Sequence, residues 1–156
     1  MDLSVKTSIK AVVTALAATA ATALLPATAA HAEGQNRVGL AQQRTSSSGI
    51  GYTSFAGLLN WDGSGNYTIN GVLQATCSPD ARPTTVWLEH AGQSQPWQLT
   101  GKAGCDHGGY GRLPVSVSGH VSPREKLQIR LGTWQSSRFE SGTTSHSEEM
   151  VFDISS

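Results

Sequence analysis

Lys126-Leu127-Gln128-Ile129-Arg130-Leu131-Gly132-Thr133-Trp134 is the stretch whose reading decides the fold. Leu127, Ile129 and Leu131 alternate with Gln128, Arg130 and Gly132. Successive side chains of a strand point to opposite sides, so a period of two marks a strand with one buried face. Trp134 falls out of phase with the aliphatic residues, which places its indole on the outer face. Arg112–Ser118 repeats the pattern, with Leu113, Val115 and Val117 set against Pro114, Ser116 and Ser118.

Working outward, five further runs are bounded by turn residues. Tyr52–Leu59 is the first. Tyr67–Ala75 follows, with Tyr67, Ile69, Leu73 and Ala75 on one face and Val72 on the other. Thr84–His90 turns Val86 and Leu88 inward and so puts Trp87 on the second face. In the opposite register, Thr85, Trp87 and Glu89 would point inward instead. Pro96–Gly101 is short and suits an edge, since proline cannot donate to a ladder. Glu149–Ser155 ends the series with Met150, Phe152 and Ile154. No window after residue 32 shows a helical stripe. About seven antiparallel strands in one domain predict an all-β sandwich. Two connections are long, Lys102–Gly111 and Gln135–Glu148, and loops of that length are often functional.

The N-terminal part reads differently. Lys6 and Lys10 precede an apolar run, Ala11 to Leu25, which is followed by Pro26 and then by Ala30-His31-Ala32. This is the layout of a secretory signal peptide cut after Ala32. The run falls short of the roughly 20 residues a spanning helix needs. A retained anchor is therefore the weaker reading. No cysteine near the cut suggests lipidation, and no Arg-Arg pair suggests twin-arginine export. The expected organisation is a signal peptide over 1–32, a flexible polar leader over 33–48 and a sandwich domain over 49–156. Val38-Gly39-Leu40 is the one part of the leader that could dock as an edge strand. The expected protein is secreted, extracellular, monomeric and free of the membrane after cleavage.

Charge narrows the partners. The chain has 11 basic and 11 acidic residues, net +0. Removing 1–32 takes away Lys6, Lys10 and Asp2, so the remainder is nearly neutral. A nucleic-acid binder would need a basic stripe to neutralise phosphates. Both cysteines, Cys77 and Cys105, lie in the exported part, and an even count in an oxidising compartment predicts a disulfide. A metal or redox pair would call for C-x-x-C spacing or a nearby pair of histidines, and neither is present. Closing this loop stabilises by about 3–4 kcal/mol through the unfolded chain.

Motifs of catalysis are weak. Asp62, Ser64 and Asn66 imitate the opening of a calcium loop. Position six is Tyr67 rather than glycine, and position twelve is Leu73 rather than glutamate, so a hairpin turn is the better reading. Asp106-His107 could form an acid–base pair. His90, His107, His120 and His146 lack ligand spacing. Glu89, Glu140, Glu148 and Glu149 supply carboxylates but no evident pair, and the G-x-S-x-G elbow is absent. No cofactor, metal site or catalytic residue is expected.

The better lead is aromatic. Indole rings stack on sugars and anchor interfaces. Trp87, Trp134, Trp97, Trp61 and Tyr110 are the candidate ligand-binding residues, with core packing as the rival role for each tryptophan. An outward tryptophan beside Gln98, Gln128 and Arg130 would make a sugar platform. The expected function is non-catalytic binding of polysaccharide or cell-envelope material. The alternatives are an extracellular protein-binding or protease-inhibitor module, which presents one of the long loops, and a small secreted hydrolase using Asp106, His107 or a glutamate.

The Ala/Thr-rich leader ending Ala-His-Ala, the Tyr67-Thr68-Ile69-Asn70-Gly71-Val72 run, one cysteine pair and a terminal alternating strand resemble the small secreted β-proteins of actinobacteria. That resemblance implies a bacterial extracellular setting. It carries no functional residues over to this chain.

Overall fold

The computed structural model describes residues 33–46, 49–136 and 142–155. The expected signal peptide lies outside them. Among the described residues, nine strands build two antiparallel sheets: β1 Gly34–Ser46, β2 Gly49–Trp61, β3 Asn66–Cys77, β4 Thr84–Gly92, β5 Gln98–Cys105, β6 Tyr110–His120, β7 Leu127–Gln135, β8 Thr143–His146 and β9 Met150–Phe152. The first sheet runs β1-β2-β3-β6. The second runs β5-β4-β7-β8, with β9 also pairing β7. The chain crosses between sheets after β3, after β5 and after β6.

The alternation in the sequence is the alternation in the structure. Phe55, Leu59, Ile69 and Leu73 point inward from the first sheet, and Val86, Leu88, Leu127, Ile129 and Leu131 from the second. All are essentially fully buried. Burying one such aliphatic side chain is worth about 1.5–3 kcal/mol, so this double layer holds the sheets together. Two polar links cross it. Thr53 and Thr133 share a hydroxyl hydrogen bond of 2.9 Å. His90, fully buried on β4, meets the Tyr67 hydroxyl through Nδ1 at 2.8 Å and Thr100 through Nε2 at 3.2 Å. Burial pushes the His90 ring below its ordinary value and the Tyr67 phenol above its own, so both sit neutral in the core. Cys77 and Cys105 form the expected disulfide. It joins the end of β3 in one sheet to the end of β5 in the other.

Three expectations are corrected. The leader over 33–48 is not a flexible tail, because β1 pairs with β2 from Gly34↔Trp61 to Ser46↔Gly49 and buries Val38 and Leu40. Two inward aliphatics and a full backbone ladder suffice to hold a strand that is polar elsewhere. The supposed loop Lys102–Gly111 is mostly strand: β5 runs through Cys105 and β6 begins at Tyr110. A tight turn remains, closed by Gly109 N–H donating to the Asp106 carbonyl at 2.8 Å. Finally, the polar segment Gln135–Glu148 contains β8, which pairs along β7 from Gly132↔His146 to Gln135↔Thr143. The centre of that segment, 137–141, lies outside the described residues.

Candidate functional site

The outward positions of β4 and β7 carry the site. On β4 they are Thr85, Trp87 and Glu89; on β7, Gln128, Arg130, Gly132 and Trp134. The register sets Thr85 against Trp134, Trp87 against Gly132 and Glu89 against Arg130. Trp87 and Trp134 are therefore diagonal neighbours, a spacing of about 7–8 Å that large side chains bridge. Together with Thr85 and Lys102 they line a depression of about 400 Å³.

Missing side chains seat both indoles. A Cβ at Gly132 would lie 2.3 Å from Trp87 ring atoms, so the ring lies close against the bare backbone of β7. A Cβ at Gly142 would lie 2.5 Å from the Trp134 ring, so the backbone just before β8 lies close against that indole. Lys102 reaches the depression through a bulge. The β4–β5 register slips between Val86 and Leu88, so Gly101 and Lys102 together oppose Trp87. Gly101 takes φ +69, and a Cβ there would lie 2.8 Å from Val115 and 2.9 Å from Leu73 inside the core. Only glycine meets both demands, and the slip turns Lys102 outward.

Beside the depression lies a closed polar network centred on Glu89, whose side chain is 6% exposed. Trp87 Nε1–H donates to Oε1 at 2.8 Å. Arg130 Nε–H donates to Oε2 at 2.6 Å, and His146 Nε2 lies 3.4 Å from the same oxygen. Arg130 also reaches Glu149 at 3.2 Å, and Gln128 donates to that same carboxylate. The Trp97 ring covers the guanidinium, 3.9 Å from carbon to ring centre. Burial by itself would raise the Glu89 carboxyl. Hydrogen bonds from Trp87 and Arg130, with the charges of His146 and Arg130, outweigh it and hold the group below the ordinary carboxylate value.

This arrangement fits a scaffold better than a catalyst. A general acid or base must present a free position to its substrate. Both Glu89 oxygens are taken, and the group is held ionised. Elsewhere, Asp106 and His107 pair with each other at the exposed tip of the β5–β6 turn. Asp62 accepts from Ser64 and Asn66 through backbone and side-chain donors, which holds it at about 2. Its carboxylate is thus spent on the β2–β3 turn rather than offered to calcium. Among the described residues no group of three His, Cys, Asp or Glu side chains could hold a metal.

The structure brings together some of the expected ligand-binding residues and separates others. Trp87 and Trp134 share one depression, and Trp97 lies on the same face beyond Glu89 and Arg130. Trp61 packs against the core at the end of β2, and a Cβ at Gly34 would lie 2.1 Å from its ring. Tyr110 is 59% exposed on the outer face of the other sheet, where it shares a row with Thr76 and Tyr52. Trp61 and Tyr110 are therefore not part of the tryptophan depression. Lys102 and the two glycine seats were not singled out from sequence. Gly132 could have been found by pairing the expected strands, since a glycine opposite an outward tryptophan leaves room for its ring; Gly142, in an expected loop, could not.

Compared with known proteins, the chain matches no family model, no curated sequence and no solved structure. Among the described residues no helix is long and apolar enough to cross a membrane.

Proposed function

We propose that the protein is a secreted, non-catalytic binding module whose ligand is a saccharide stacked on Trp87 and Trp134. The observation that carries the reading is the shared depression, lined by two indoles on an outer sheet face and held by glycine seats and a closed hydrogen-bond network. Pre-set rings lose little freedom on binding, so more of the stacking energy remains as affinity. Trp87 commits its N–H to Glu89, so what it offers a ligand is its π face. The disulfide and the leader over 1–32 are consistent with export to an oxidising compartment.

Tryptophan fluorescence and calorimetry against a panel of soluble cell-wall and plant oligosaccharides test the proposal. The expected result is a saturable change that Trp134→Ala weakens by at least tenfold. No saturable response to any glycan would overturn it. Export is tested by the N-terminal residue of protein recovered from the culture medium, expected to be Glu33.

A further inference from the structure

Among the described residues, the depression between Trp87 and Trp134 contains one charged side chain, Lys102. Among the described residues, the two carboxylates of the neighbouring network are already occupied. Glu89 is held by Trp87, Arg130 and His146, and Glu149 by Arg130 and Gln128. Among the described residues, the Lys102 ammonium makes no ion pair or hydrogen bond. The bulge at Gly101 turns this residue outward opposite Trp87.

A cation beside two aromatic faces, with no anion of its own among the described residues, matches a ligand that pairs a stacking ring with a negative group. We infer that the site takes an acidic saccharide, in which a uronic-acid ring stacks on the indoles and its carboxylate meets Lys102. This inference rests on the saccharide reading above. The carboxylate accepts a charge-assisted hydrogen bond from the ammonium. Thr85, the fourth lining residue, offers a hydroxyl to the ring oxygens. Lysine rather than arginine suits the geometry, because a single flexible point charge can follow the carboxylate of either linkage. The chain carries net charge +0, so the attraction is local to this depression rather than a property of the whole surface.

The test is a calorimetric titration of the full chain with uronic-acid oligomers, α-linked galacturonate and β-linked glucuronate. Each is paired with its methyl ester and with a neutral glucose oligomer of equal length. The ester keeps the ring and removes the charge. The expected result is that one acid binds about tenfold more tightly than its ester, and that the difference shrinks as salt is raised. Lys102→Gln is expected to bring the acid down to the level of the ester and leave the ester unchanged. Trp134→Ala is expected to weaken both.

Equal affinity for acid, ester and neutral oligomer, with Lys102→Gln silent, would overturn the acidic specificity and leave the saccharide reading standing. Acid binding that Trp87→Ala and Trp134→Ala do not affect would overturn it too, since charge alone would then account for retention. No binding by any member of the panel would overturn the acidic inference. Binding of other glycans in the wider panel would still decide the saccharide reading separately.

Discussion

The two outer faces of this sandwich are built from similar strands, yet only one is organised. On the first sheet, Tyr52, Thr76 and Tyr110 form one row, and Asn70, Gln74, Ser116 and Ser118 lie beyond it. Their contacts are local, such as Ser116 donating to Asn70 at 2.7 Å. Tyr52 and Tyr110 stand free, 49% and 59% exposed. On the second sheet, Trp87 and Trp134 are seated on glycines, Trp87 and Arg130 tie into Glu89, and Trp97 covers Arg130. Aromatic residues occur on both faces, so their presence does not mark the site. What differs is the shell that fixes them, because a side chain whose rotamer is already held loses less entropy when a ligand arrives.

The largest expected break in that difference is Glu89→Ala. It leaves the Arg130 guanidinium and the Trp87 N–H without their shared acceptor in a nearly closed pocket. The expected cost is about 2–3 kcal/mol of unfolding free energy, below the value for a fully buried pair because Arg130 keeps 19% of its side chain in water. Asn70→Ala on the first face is expected to stay within about 0.5 kcal/mol. Urea unfolding of both variants checks the contrast, and equal losses would mean the second face is no more organised than the first. Next in size is Trp134→Ala against Tyr110→Ala. The former is expected to weaken glycan binding by about 2 kcal/mol and the latter to leave it unchanged.

The sequence made the inward face legible and the outward shell much less so. Val86, Leu88, Leu127, Ile129 and Leu131 are where alternation puts them, and the same phase sends Trp87 and Trp134 outward. The edges were harder. In β1 only Val38 and Leu40 reach the core, and β8, Thr143–His146, has no apolar residue at all. Such strands form because a neighbour supplies a hydrogen-bonding ladder, and periodicity within the strand carries no trace of that neighbour. Lys102 was hidden for a related reason. The bulge at Gly101 resets the alternation, so counting along β5 misplaces every residue before or after it. Glu89 stands at an outward position, yet it is 5% exposed. Its burial comes from Trp87, Arg130 and His146 folding over it, an event between strands.

A finer comparison uses glycine. Gly132→Ala places a methyl group 2.3 Å from the Trp87 ring, so the indole must lift. Glycan affinity is expected to fall several-fold. Gly39→Ala on β1 meets nothing within 4 Å and is expected to leave binding and stability unchanged. If both variants bind like the parent, the ring does not depend on its seat.

The smallest expected effect sharpens the contrast through pH. Each half of the molecule has one carboxylate held below its ordinary value, Glu89 on the second sheet and Asp62 in the turn of the first. A depressed carboxyl binds its proton more readily in the unfolded chain, so its contribution is present above the unfolded value and lost as pH falls. For Glu89 the loss begins below 4.5. For Asp62 it runs from 3.8 down to about 2. Glu89→Gln is therefore expected to flatten stability against pH just below 4.5, whereas Asp62→Asn changes only the lower window. The Asp62 effect should be slight, because its turn lies open to water and salt screens it. His90 adds a separate step at higher pH. Its ring is held below 6.5, so stability falls as pH drops through that value, and neither carboxylate variant should remove that step. Urea midpoints measured from pH 7 to 2 in parent and variants would resolve these windows. A Glu89→Gln curve parallel to the parent below 4.5 would mean that the second face does not hold its carboxylate in the charged form.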